Sequence, residues 1–166
     1  MNKSFYKITR CGVLVAINII SSYILKFLPN VKPDTTIVII LAVFFSLYES
    51  IAVFTATVLL RGFLYGVGTF MPFQWLAWFI IAIVARFLKK ILQKNKILFM
   101  IYSGLSGYVF GFIVSLDILI LYGVNAFVPY YLNGILFDTF HFVGNMVFSL
   151  ILLNTVLKAK QISENI

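Results

Sequence analysis

The sequence predicts an all-α integral membrane protein, a compact bundle of six transmembrane helices in one domain over residues 1–166, with both termini in the cytoplasm. Three observations lead to this prediction. Hydrophobic residues make up 62% of the chain, charged residues only 11%, and the mean hydropathy is +1.05, far above the values of soluble domains. Apolar runs recur between short polar or glycine- and proline-containing breaks. The basic residues collect in segments that successive crossings place on one side of a membrane.

The breaks between apolar runs set the element boundaries, because a span needs about 20 apolar residues, or fewer where it is partly buried in protein. The first run ends at Leu28–Pro29 and the short second run ends near Glu49. The third ends in the glycine-rich segment 66–72, and Pro72 then suits the first turn of a helix, whose amide is unpaired anyway. A lysine-rich hairpin separates the fourth run from the fifth. The predicted spans are about 11–28, 35–47, 50–65, 73–92, 97–122 and 133–157.

The orientation follows from the basic residues near the span ends. A cytoplasmic amino terminus leaves three on the outer side: Lys26, Lys32 and Arg61. It places ten on the inner side: Lys3, Lys7, Arg10, Arg86, Lys89, Lys90, Lys94, Lys96, Lys158 and Lys160. This bias predicts a multi-pass protein of a prokaryotic cytoplasmic membrane. If the short second span does not cross, every later assignment inverts.

With this topology, the costly polar groups fall mainly in the outer half of the bilayer. Asp138, His141 and Asn145 lie roughly 8, 12 and 18 Å along the sixth predicted helix, and their spacings of three and four put them on one face. An ionisable group at such depth costs on the order of 2.5–3.5 kcal/mol unless it faces a partner or a polar cavity. Arg61 and Asp117 come from other helices but from the same side. The pattern therefore predicts a binding pocket that opens to the outside.

A structural alternative remains open for each of these residues. Arg61 could pair with Asp117 or Asp138, and His141 could be a satisfied core histidine, because buried ions need partners whatever the function. The aromatic residues at this end could form an interfacial belt, although Trp75 and Trp78 are candidates to stack on a planar ligand. The predicted binding residues are Asn30, Lys32, Arg61, Thr69, Phe70, Gln74, Trp75, Trp78, Asp117, Tyr131, Asp138, His141 and Asn145.

Small residues have a different predicted use. Gly104, Gly107 and Gly111 allow close approach of neighbouring helices, and Gly12 and Ala16 have the small-x-x-x-small spacing of helix packing. If the face of Gly12 and Ala16 is not buried within the bundle, it could seat another membrane subunit.

Several classes of function are disfavoured. No hydrolase, P-loop, zinc-protease or dinucleotide motif occurs, so we expect no catalytic residue, cofactor or metal, although an intramembrane enzyme and a structural or accessory membrane subunit stay as alternatives. The lone cysteine, Cys11, cannot form an internal disulfide. The net charge of +8 is explained by topology and not by nucleic-acid binding.

Three segments resemble a known family in their order and spacing: PNVKPDTTIVIILAVFFSLYES at 29–50, GVGTFMPFQWLAW at 66–78 and FDTFHFVGN at 137–145. The chain resembles the substrate-binding S components of the energy-coupling factor (ECF) vitamin importers, over nearly its whole length and with most similarity to the cobalamin-type branch. The resemblance implies six helices, a pocket under the loops after spans one, three and five, and no enzymatic activity of the chain itself. It also implies docking of the first helix on a membrane scaffold subunit with two cytoplasmic ATPases. The family's docking face is alanine-x-x-x-alanine, which Gly12 and Ala16 match approximately.

The resemblance also bears on the ligand. It favours a vitamin of the corrinoid type, cobalamin, and leaves hydroxymethylpyrimidine, a flavin or a queuosine-type base as alternatives. Phosphate or carboxylate groups on vitamins other than a corrinoid would suit Arg61, Lys32 and the glycine-rich turn equally well.

Overall fold

The described part of the chain is almost entirely helical. The computed structural model describes residues 3–164, and the helices in that range are α1 (Lys3–Ile24), α2 (Asp34–Phe44), α3 (Leu47–Tyr65), α4 (Met71–Phe87), α5 (Lys89–Lys94), α6 (Lys96–Tyr122) and α7 (Val124–Glu164). Within that range four helices, α1, α3, α6 and α7, contain segments long and apolar enough to span a membrane, and α2 and α4 are shorter apolar helices. The prediction of an all-α membrane protein is thereby confirmed at this coarser level.

The largest difference from the predicted boundaries is at the start of α7. The segment 122–133, predicted as an outer loop, is helical apart from Gly123, whose φ of 78° lets one residue reverse the chain. Its amide also closes α6 by donating to the carbonyl of Leu119 at 3.0 Å. Because α7 begins at Val124 and not at 133, Asp138 lies about 21 Å along the helix, not 8 Å. Pro129 is inside α7, where it lacks one backbone donor.

Other boundaries differ for local reasons. Helix α3 begins at Leu47, earlier than predicted, because the Ser46 hydroxyl accepts a hydrogen bond from the Tyr48 amide as an N-cap. The predicted fourth span is two helices, α4 and α5, separated at Leu88. Helix α1 covers Lys3–Ile24. It therefore begins earlier and also ends earlier than the predicted first span, 11–28, which it largely overlaps.

Helix α2 lies at the centre of the bundle, and all eleven of its residues are buried. A buried helix end needs partners for its unpaired backbone groups, and neighbouring helices supply them at the carboxyl end of α2. At the carboxyl end, the Arg86 guanidinium donates to the carbonyls of Ala42 (3.1 Å) and Phe45 (3.4 Å), and the Gln93 amide donates to that of Val43 (2.8 Å). At the amino end, the N-cap residue Pro33 makes no side-chain hydrogen bond to the helix, and the contact with α3 is instead the ion pair between the side chains of Asp34 and Arg61. These contacts allow a short helix to be enclosed by protein on every side.

The contacts also define two ends of the bundle. The first, which we call the loop end, carries residues 25–33, 66–70 and Gly123. The second, the basic end, carries the turn at 45–46 and the segment 88–95. At the basic end, Arg10 near the start of α1 pairs with Glu49 near the start of α3 and lies 4.2 Å from the ring of Phe45. The helices therefore alternate in direction from α1 to α7, with α5 as a short connection.

Helices α6 and α7 form a closely packed antiparallel hairpin. A β-carbon at Gly107 would come within 2.8 Å of the backbone nitrogen of Phe142, and one at Gly104 would come within 2.9 Å of the Phe142 ring. These two glycines therefore do allow the close helix approach that their spacing predicts.

Candidate functional site

A cavity of about 460 Å³ lies at the loop end between α4, α6 and α7. Its walls combine aromatic side chains with amide, hydroxyl and carboxylate groups, as in small-molecule sites. The lining residues are Asn30, Gln74, Phe110, Gly111, Val114, Ser115, Tyr130, Tyr131, Asn133, Gly134, Phe137 and Asp138. Asn30, Gln74, Tyr131 and Asp138 belong to the binding residues predicted from the sequence, and the structure brings these four together around one cavity.

Asp138 reaches the cavity because Gly111 stands opposite it. The side chain of Asp138 is only 5% exposed, and a β-carbon at position 111 would overlap its carboxylate. Gly111 thus makes room for the carboxylate as well as for helix packing. No residue that the structure describes forms a hydrogen bond or an ion pair with Asp138.

The loop between α1 and α2 folds against α7 beside the cavity. Val31 packs on Gly144, where a β-carbon would come within 3.2 Å of Val31 Cγ1. Asn30 has a φ of 56°, in the left-handed region that asparagine tolerates better than most residues. This turn directs the chain so that Asn30 contributes to the cavity rim.

Arg61 lies in a separate cluster with α1 and α2. Its guanidinium pairs with Asp34 at 2.6 Å, donates to the backbone carbonyl of Asn18 at 3.1 Å and also contacts the Ser22 hydroxyl. The structure therefore gives Arg61 the partner Asp34, and neither Asp117 nor Asp138. This cluster connects α1, α2 and α3 and does not line the cavity.

Lys32 is half-buried next to the Arg61 cluster. Burial, and after it the nearby positive charge of Arg61, lowers the pKa of the Lys32 ammonium, while Asp34 opposes the shift. Lys32 does not line the cavity either.

His141 lies deeper in the bundle than the cavity. The indole nitrogen of Trp78 donates to the Thr35 hydroxyl at 3.1 Å, and that hydroxyl is 3.1 Å from His141 Nε2. Because an indole can only donate, the Thr35 hydroxyl is free to donate to Nε2, which leaves the proton of a neutral imidazole on Nδ1. His141 Nδ1 is buried without a partner among the described residues. The ring also packs edge-on against Phe110, with centroids 5.3 Å apart.

Asn145 belongs to the polar core that holds α2, α6 and α7 together. Its side-chain amide nitrogen donates to the Ser103 backbone carbonyl at 3.0 Å, and its backbone carbonyl accepts from the Thr36 hydroxyl at 3.3 Å. Asn145 is fully buried, and it does not reach the cavity.

The predicted residues of the α3–α4 segment have packing contacts. The Thr69 hydroxyl donates to Asp117 at 3.0 Å, which fastens the loop to α6. Trp75 stacks on Phe79 at 5.0 Å and donates to Thr55. These contacts do not support stacking of the two tryptophans on a ligand in the cavity, because Trp78 is buried in the core and Trp75 faces an open groove on the other side of α4. Phe70 covers Gly68 and is 41% exposed.

Gly12 and Ala16 lie on an exposed face of α1. Both residues are exposed, and a β-carbon at Gly12 would meet no atom within 4 Å. This face is therefore not used for packing within the described part of the chain.

Sequence reasoning missed several residues of the cavity wall. Tyr130, Asn133, Gly134 and Phe137 fall in or beside the segment predicted as a loop, but their spacings of three and four are those of one helix face. That periodicity was the available signal. Ser115 follows Gly111 by four residues, so it shares the Gly111 face of α6.

Comparison with known proteins adds no identification. No family model, no curated protein and no solved structure matches this chain. The geometry above is thus the basis for assigning a function.

Proposed function

We propose that this protein captures a small solute at the loop end of the bundle and delivers it to partner subunits for import. In this proposal the chain is a binding subunit of the ECF type, as the three resembling segments imply, and the chain itself catalyses no reaction. The observation that carries the proposal is the 460 Å³ cavity with a buried, unpartnered carboxylate in its wall. A purely structural bundle has no need of such a group, because an unpaired charge in a membrane is costly.

The arrangement of the bundle supports an outward-facing site. If the basic end faces the cytoplasm, as the positive-inside rule requires, the cavity opens toward the medium. Asn30, Tyr130 and Asn133 are exposed at the cavity and form a rim that a dissolved solute can reach.

The size of the cavity bears on the ligand. Sites for small molecules typically have volumes of roughly 300–1,000 Å³, and about 460 Å³ is in the lower part of this range. A corrinoid has several times as many non-hydrogen atoms as a pyrimidine or a purine-like base. The volume therefore favours the smaller candidates, hydroxymethylpyrimidine or a queuosine-type base, over cobalamin and over a flavin.

The proposed partners are a membrane scaffold subunit and two cytoplasmic ATPases. The exposed face of Gly12 and Ala16 supports docking through α1, because small residues let a second helix approach closely. Its position on the outside of the bundle leaves the cavity free while a partner is bound.

Native mass spectrometry tests the capture function. The protein is purified in mild detergent from cells grown in rich medium, and the mass of any retained solute is read after its release. We expect wild type to retain a solute and Asp138→Ala to lose it. The matched control is Asp117→Ala, a second buried carboxylate at the same end that does not line the cavity. Equal retention by the wild type and Asp138→Ala would contradict the proposed site.

A further inference from the structure

We infer that the solute bound in this cavity is a small planar cation, held by the carboxylate of Asp138. This inference rests on the proposed capture function and specifies its substrate class. Asp138 is the one charged residue among those that line the cavity, all of which lie in the described range 3–164. A ligand that supplies a positive charge there completes the electrostatics of the site.

The other carboxylates show that Asp138 is an exception. Among the acidic side chains that the structure describes, Asp34 is paired with Arg61, Glu49 with Arg10, and Asp117 accepts a hydrogen bond from Thr69. Asp138 is as buried as these three but has no such partner in the described chain. Since a buried carboxylate is normally paired or hydrogen-bonded, its missing partner is the expected place of the ligand's charge.

The positive residues of the loop end do not fill this role. Arg61 is already engaged by Asp34, Ser22 and the carbonyl of Asn18. Lys32 lies beside that cluster, where burial and Arg61 lower the pKa of its ammonium. Lys26, the third positive residue of this end, has its ammonium nitrogen 5.0 Å from the centroid of the Tyr23 ring. None of these three residues lines the cavity. The cavity therefore presents a net negative wall within a chain whose overall charge is positive.

The remaining walls suit a flat cation. Phe110, Tyr130, Tyr131 and Phe137 place aromatic groups around the cavity, and aromatic faces attract cations as well as planar rings. The Tyr131 ring stacks on the Phe127 ring, with centroids 5.8 Å apart, and meets the Phe112 ring edge-on, with centroids 5.5 Å apart. These two contacts fix the orientation of the Tyr131 ring. The amide groups of Gln74 and Asn133 can accept hydrogen bonds from N–H groups at the edge of such a ligand.

Three probes of the same shape but different charge test this inference: benzamidine, which is cationic, benzamide, which is neutral, and benzoate, which is anionic. Thermal unfolding of the full chain in detergent is measured with each probe at millimolar concentration, because a ligand that binds only the folded state raises the unfolding temperature. We expect benzamidine to raise the unfolding temperature by several degrees and the other two probes to raise it by less than one degree. Asp138→Asn should abolish the benzamidine shift, and Asp117→Asn, the matched control, should keep it.

Each outcome bears on one proposal or both. The cation assignment would be overturned if benzamidine and benzamide shifted the unfolding temperature equally, if benzoate shifted it more, or if no probe shifted it. It would also be overturned if the benzamidine shift survived in Asp138→Asn. If the retained native solute is neutral or acidic, the cation assignment fails while the capture function stands. If the wild type retains no solute and no probe binds, the capture function fails as well.

Discussion

Asp138 and Asp34 are two buried carboxylates at the same end of the bundle with opposite surroundings. Asp34 has the Arg61 guanidinium at 2.6 Å, whereas Asp138 has no partner among the described residues. Removing one partner of a buried ion pair destabilises the fold, because the other charge is left buried and unpaired. An unpaired one costs stability in the ligand-free protein, and proteins tolerate such a cost where a site needs the group.

We therefore predict that the same substitution destabilises the fold at Asp34 but not at Asp138. Asp34→Asn should lower the free energy of unfolding by about 3–5 kcal/mol, because it leaves the buried Arg61 without its counter-charge. Asp138→Asn should leave the stability of the ligand-free protein unchanged or raise it by up to about 1 kcal/mol. The measurement is denaturant-induced unfolding in detergent, followed by tryptophan fluorescence. A large loss of stability in Asp138→Asn would mean that Asp138 has a structural partner after all.

Gly111 gives a second test at the residue scale. In Gly111→Ala the new methyl group overlaps the Asp138 carboxylate, so the carboxylate must rotate away from its place in the cavity wall. We expect a loss of stability of about 1–3 kcal/mol, as for other overpacked sites, and loss of the retained solute. The matched control is Gly12→Ala, because a β-carbon at position 12 meets no atom within 4 Å. This substitution should leave the free energy of unfolding unchanged or raise it slightly. Solute retention in Gly111→Ala equal to that of wild type would count against the assigned position of the carboxylate.

At the element scale, the central helix α2 depends on donors from outside itself. It has eleven residues, about 16 Å at 1.5 Å per residue, so its carboxyl end lies inside the bundle with carbonyls that must be satisfied. Arg86 and Gln93 supply the donors. The apolar sequence of α2 predicts a buried helix, but it does not show which distant residues complete its ends.

Arg86→Met tests this dependence, because methionine keeps an apolar stem but removes the guanidinium donors. We expect a loss of about 1.5–3 kcal/mol in the free energy of unfolding, the size of a hydrogen bond that involves a charged group. Lys90→Met is the control, since Lys90 is exposed on α5. Similar small losses in both variants would show that the carbonyls of α2 find other partners, such as water.

Helices α6 and α7 show how far sequence reasoning reaches. The bounds of α6 agree with the prediction to within one residue, because Asn95 and Gly123 act as clear caps at its two ends. The start of α7 was missed by nine residues. Pro129 and the polar residues around it are typical of a loop, whereas tertiary packing of Phe127 and Tyr131 on Phe112 favours the helix. The helical spacing from Tyr130 to Phe137 was a signal in the sequence, but the packing on Phe112 that outweighs Pro129 is not visible in one sequence.

The site shows the same limit at the scale of the whole molecule. The argument that costly polar groups converge at one end led to Asp138 and Gln74, and the loops and aromatic residues of that end added Asn30 and Tyr131. These four residues do line one cavity. The same argument grouped Arg61, Asp117, His141 and Asn145 with them. Arg61, His141 and Asn145 have partners on neighbouring helices, and Asp117 has its partner, Thr69, in the loop between α3 and α4. Sequence shows which groups need partners. It does not separate a group that finds its partner in the protein from one that leaves its partner to a ligand.

The six-span topology with cytoplasmic termini remains a prediction, and it decides which side the cavity faces. We expect single cysteines, introduced after Cys11→Ser, to react with a membrane-impermeant maleimide according to their end of the bundle. Phe27→Cys and Val67→Cys replace side chains that are 73% and 86% exposed at the loop end, and both should react in intact cells. Tyr48→Cys and Lys90→Cys, at the basic end, should react only after the membrane is permeabilised. Reaction of Tyr48→Cys in intact cells would show that α2 does not complete a crossing. If the basic-end pair reacted in intact cells and the loop-end pair reacted only after permeabilisation, the cavity would face the cytoplasm. That result would exclude capture from the medium.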